Sequence, residues 1–132
     1  MMNKKSGMLG ISGKTSDNQE IGKLAEAGDH RAILCEDMYS HQIAKFVGSY
    51  MVAMGGADAI VFTGGIGENA GHYRAKLGEK LAFLGVKIDA AKNSIRGEEV
   101  EISTPDSPVK VLVIPTNEEL VIARDTLEIV SK

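Results

Sequence analysis

The chain has 132 residues and a mass of 14.1 kDa, with 43% hydrophobic and 25% charged side chains, proportions that fit one folded domain spanning residues 1–132 and exclude a disordered or fibrous chain. A net charge of −3, no Trp, and only three Tyr and three Phe offer a nucleic acid neither a basic field nor a set of stacking rings. Cys35 stands alone, which excludes an intrachain disulfide, and no segment is apolar for long enough to span a bilayer, so a reducing, cytoplasmic setting is expected.

In chain order, Gly7, Gly10 and Gly13 recur without hydrophobic periodicity, so Met1 to Ser16 reads as loop or a short irregular strand. Ser16-Asp17 then supplies N-cap chemistry for a helix over Glu20 to Ala27, closed by Gly28. A longer helix runs from Asp29 to about Met54, where Tyr39, Ile43, Phe46, Val47, Tyr50 and Met54 form an apolar stripe for a core or a partner helix. Gly55-Gly56 ends it.

Ala59 to Thr63 is the continuous apolar run of a strand covered on both faces. Gly64, Gly65 and Gly67 follow at once, and such a turn leaves backbone amides bare for the close approach of a phosphate or ribose. A nucleotide is therefore the first ligand suggested, with a tight αβ connection as the alternative reading. A helix over about Asn69 to Phe83 turns Tyr73, Leu77, Leu81 and Ala82 inward and stops at Gly85. Short strands are expected at Val86 to Ile88, Val100 to Ile102 and Val109 to Ile114, before a final helix from about Asn117 to Val130. Strands interleaved with helices argue an α/β fold in which several strands are parallel.

Several residues carry chemistry. Thr116 and Glu119 have capping-box spacing, which frees the neighbouring Glu118 to hold Mg²⁺ at the carboxyl end of a strand. Gly65, Gly67 and Gly71, with Asp89 further on, approach a dinucleotide fingerprint, but the last glycine comes one residue late and Glu68 sets a negative charge where a pyrophosphate would sit. Glu68 and Asn69 suit ribose or base, although Asn69 also reads as a plain N-cap. His30, His41 and His72 lack metal spacing, and Arg31, Arg74, Arg96 and Arg124 read as solvated side chains.

Three runs together, Asn3 to Gly13, Phe62 to Asn69 and Val113 to Leu120, resemble the carboxy-terminal part of the acetate kinases, a pattern that propionate kinases share. The resemblance implies a ribonuclease H-like fold of the acetate and sugar kinase, heat-shock ATPase and actin superfamily. It implies ATP or ADP and Mg²⁺ as ligands, and reversible phosphorylation of acetate to acetyl phosphate. It places nucleotide contacts at Asp17, Asn18 and Gln19 and at Gly65, Ile66, Gly67, Glu68 and Asn69, and the metal at Glu118. Gln19 stands where the family has an arginine. The family is about three times longer, and its acyl-binding and catalytic residues fall upstream of the matching part. No catalytic residue is therefore assigned here, and the chain alone is expected to be inactive. The resemblance also implies a homodimer, and the alternative is a non-catalytic interaction module derived from the same fold.

Overall fold

The computed structural model describes residues 5–131, the side chain of Glu118 excepted. Met1 to Lys4, part of the expected amino-terminal loop, lie outside the described residues. Gly7–Ser12 is helical (α1), which corrects the loop or strand expected there. Two of the three glycines there, Gly7 and Gly13, are its boundaries and Gly10 lies within it: Gly13 takes φ 70° and its amide donates to the Leu9 carbonyl at 2.8 Å.

α2 (Asn18–Glu26) and α3 (His30–Met54) start on aspartates. Asp17 Oδ1 accepts from the Gln19 and Glu20 amides at 2.8 and 2.9 Å, and Asp29 Oδ1 does the same for Arg31 and Ala32. α1 and α2 pack on the first half of α3 around buried Ile21, Ala32 and Cys35. The stripe on α3 divides. Ile43 and Val47 join the main core, whereas Phe46, Tyr50 and Met54 are exposed.

β1 (Ala59–Phe62), β2 (Val100–Glu101) and β3 (Lys110–Val113) form a sheet in the order β1-β3-β2. β1 and β3 are parallel, with Ile60 opposite Val111 and Phe62 opposite Val113, and β2 is antiparallel to β3. Val86 and Ile88 make only single bridges, to Val109 and Ser103. Among the described residues the expected set of parallel strands thus reduces to one pair. The main core, with Met51, Leu77, Leu81, Val111 and Val113, lies between this sheet and the helices α3 and α5 (Gly71–Leu81). β1 is covered on one face only, contrary to expectation. Its residues alternate exposed and half-buried, leaving Val61 48% exposed, because β1 stands at the sheet edge and the packed helices occupy a single face.

The glycine turn is itself a short helix, α4 (Gly64–Asn69), so α5 begins at Gly71, and Ala82, expected inward, is exposed in a 3₁₀ turn that Gly85 ends. α6 (Glu118–Val130) closes the chain with every described side chain exposed. Its N-cap is Asn117, whose Oδ1 accepts from the Leu120 amide at 3.0 Å. The capping box expected from Thr116 and Glu119 does not form, because Thr116 is engaged elsewhere. Among the described residues no helix is long and apolar enough to cross a membrane.

Candidate functional site

α4 sits tightly over the end of β1. A Cβ on Gly67 would stand 3.3 Å from the Phe62 carbonyl carbon, so Gly67 faces the strand and serves close packing. Glu68 folds back. Its Oε1 accepts from the Gly64 amide at 2.7 Å, the Thr116 amide at 2.8 Å and the Thr116 hydroxyl at 2.7 Å. These bonds, the Thr116 hydroxyl first, hold the Glu68 carboxyl below its usual range. The result is a clasp between the segments that leave the parallel neighbours β1 and β3.

A second clasp is Arg74, which is fully buried. Its Nη1 donates to the carbonyls of Gly67 at 2.7 Å and Glu68 at 2.9 Å, and its Nη2 to those of Asn93 at 2.9 Å and Ile95 at 3.0 Å. Nε reaches Asn93 Oδ1 at 2.7 Å, and Asn93 Nδ2 donates to the Gly71 carbonyl. Burial without a carboxylate partner lowers the Arg74 pKa, yet five bonds satisfy its donors. The expectation of a solvated Arg74 is thereby corrected. One guanidinium ties the end of the glycine turn to the 3₁₀ turn Lys92–Ser94 and the residue after it.

Between these elements opens a cavity of about 1470 Å³. Asp17, Asn18 and Gln19 line it from the start of α2, and Gly65, Ile66 and Asn69 from the glycine turn. Six of the residues expected from sequence therefore meet at one cavity. Gly67 and Glu68 do not line it, since packing on Phe62 and the Thr116 clasp turn them away. The side chain of Glu118 lies outside the described residues.

The cavity presents groups that suit a nucleoside. Asp17 spends Oδ1 on its helix cap and leaves the second carboxylate oxygen as an acceptor. Asn18 Oδ1, by contrast, is shielded from solvent and has no hydrogen-bond partner among the described residues, which costs free energy until a donor reaches it. Asn69 Nδ2 donates to the Gly65 carbonyl at 3.0 Å, ending α4 rather than capping α5, whose N-cap is Ala70. Of the residues of the dinucleotide fingerprint, Gly65 and Gly71 line the cavity and Asp89 does not, its Oδ1 accepting from the amides of Ala91 and Lys92.

A family model described as the Acetokinase family matches residues 1–124. The chain belongs to the acetokinase family. It is 54% identical over its whole length to an acetate kinase of Phocaeicola vulgatus, covering 33% of that protein. It is 55% identical to an acetate kinase of Carboxydothermus hydrogenoformans, over 98% of the chain and 32% of the relative. The crystal structure of Porphyromonas gingivalis acetate kinase superposes with a TM-score of 0.88 at 48% identity, over 97% of this chain and 32% of that one. A propionate kinase from Francisella tularensis gives 0.86 at 49% identity, over 95% and 32%. The chain thus spans about a third of the length of the relatives it matches, and its α/β fold is that of the corresponding part of these kinases.

Two residues have roles that sequence reasoning missed, having read Arg74 as solvated and Thr116 as a helix cap. Arg74 falls three residues before the buried Leu77 on the inward face of α5, a helical position that marks it for burial. Thr116 gives no such signal, because its partner Glu68 lies 48 residues away.

Proposed function

We propose that this chain is the carboxy-terminal, nucleotide-binding part of an acetate kinase-type enzyme with a ribonuclease H-like fold, and that its cavity takes ATP or ADP. The observation that carries this reading is the meeting of Asp17, Asn18, Gln19, Gly65, Ile66 and Asn69 at one cavity in a chain of this family. Asp17 offers an acceptor to ribose hydroxyls or an exocyclic amino group, and the glycine turn lets the nucleotide approach the main chain. Gly67 and Glu68 shape that turn from behind.

For the metal, Glu118 opens α6 two residues after Thr116, whose amide and hydroxyl are fixed to the turn. A carboxylate there suits Mg²⁺, a hard cation that takes oxygen ligands beside nucleotide phosphates. Bound Mg²⁺ would neutralise charge on the transferring phosphoryl group, and the residues of this chain contribute binding and orientation.

The whole reaction, phosphorylation of acetate to acetyl phosphate, belongs to the longer enzyme. With a third of its relatives' length, this chain alone is proposed to be inactive in acyl-phosphate formation. A cytoplasmic location accords with the lone, buried Cys35. The exposed face of Phe46, Tyr50 and Met54 on α3 favours a homodimer, and light scattering at the dimer mass would support it. A calorimetric titration with ADP and Mg²⁺, with NAD as control, tests the central reading. Saturable ADP binding is expected, weakened by Glu118→Ala only when Mg²⁺ is present. A folded chain that prefers NAD or binds neither ligand would refute it.

A further inference from the structure

Among the described residues, lysine and arginine side chains enter the cavity at Lys23, Lys87 and Arg96. Lys87 is occupied, its Nζ lying 2.6 Å from Asp106. Lys23 and Arg96 make no ion pair or side-chain hydrogen bond among the described residues. The two differ in how their main chain is held. Lys23 is exposed on α2 with Glu20 and Glu26 three residues away on either side, so its charge already stands among acids of its own helix.

Arg96 is followed by Glu98 and Glu99, neither paired with it among the described residues, and its base is fixed. The Arg74 guanidinium that holds the Gly67 and Glu68 carbonyls also holds the carbonyl of Ile95, the residue before Arg96. Gly97, the residue after it, takes φ 64° and comes up against Asn69, a Cβ there standing 4.0 Å from Asn69 Oδ1. The main chain just before Arg96 is therefore tied to the end of the glycine turn, while its own guanidinium is uncommitted at the cavity wall among the described residues. Acids line the same cavity, Asp17, Glu26 and Glu79 among them, and none is paired with it.

We infer that Arg96 is a nucleotide-binding residue whose guanidinium takes the phosphate nearest the nucleoside. The inference rests on the nucleotide reading of the cavity. A guanidinium presents a planar fork of donors to two phosphate oxygens, and a fixed main chain reduces the conformational freedom lost on binding. The nucleotide then lies between the α2 wall, which supplies neutral or anionic acceptors, and a cation anchored to the turn.

Titrations of the full chain with ADP, AMP and adenosine, in parallel for the parent, Arg96→Gln and Arg96→Lys, test this. Arg96→Gln is expected to weaken ADP and AMP by about tenfold or more, as for loss of a charged hydrogen bond, and to leave adenosine unchanged. Arg96→Lys should fall between, and the melting temperature should stay within about 1 °C because Arg96 is exposed and holds nothing internally. Equal ADP binding by Arg96→Gln and the parent would overturn the inference alone. Equal loss for adenosine and ADP would overturn the phosphate contact. A folded parent that binds no adenine nucleotide would overturn the nucleotide reading and this inference with it.

Discussion

α5 and α6 both follow a strand of the parallel pair and both carry branched apolar residues, yet their fates are opposite. α5 buries Tyr73, Arg74, Leu77, Gly78 and Leu81, while α6 leaves Leu120, Val121, Ile122, Leu127, Ile129 and Val130 exposed. The difference lies in what stands opposite. α5 has α3 on one side and the sheet on the other, and Gly78 lets Ile88 come so close that a Cβ would stand 2.7 Å from Ile88 Cδ1. α6 has no comparable surface among the described residues. An apolar sequence states that a helix can be covered, and only the rest of the fold states by what.

Substitutions can break or sharpen this contrast. The largest effect is expected from Arg74→Ala, which would strand five acceptors at once, two in buried and three in partly buried bonds, and cost about 3 to 5 kcal/mol, read as a lower midpoint in urea unfolding. Next comes Gly71→Ala. Its Cβ would meet the Asn93 carbonyl oxygen at 2.7 Å and push the 3₁₀ turn off α5, for about 1 to 3 kcal/mol and weaker ADP binding by titration.

Glu68→Gln is expected to act through pH. The folded-state pKa of Glu68 is lowered, so its contribution is fully present above the ordinary Glu value and is lost as pH falls through the depressed one. The parent should therefore melt higher than the variant at neutral pH, and the gap should close on acidification. A gap independent of pH would show that the Thr116 clasp does not depend on charge. Smallest of all, Ile129→Ser on α6 should change the stability of this chain by less than about 0.5 kcal/mol. A large loss there would mean that α6 is covered in solution, as a dimer of this chain would allow.

The sequence makes the local devices legible. Asp17 and Asp29 cap the helices expected of them, Gly55 and Gly85 end theirs at positive φ, and the glycine turn follows an apolar strand as its spacing implies. Distant pairings leave no such trace. The bonds of Glu68 to Thr116 and of Arg74 to Asn93 and Ile95 join residues 19 to 48 positions apart, and no periodicity within one element reveals them. The same limit explains α1, whose bounding glycines mask a single helical turn and a half, and β1, whose apolar run suits two covered faces but meets only one.

Hydrogen–deuterium exchange with and without ADP and Mg²⁺ tests the central claim most directly, because it reports where the ligand sits as well as whether it binds. Slower exchange is predicted at residues 17–20, 64–70 and 93–97, with α6 beyond its first turn unchanged. Protection confined to α6, or no change in a folded chain saturated with ADP, would contradict the assignment of this cavity to a nucleotide.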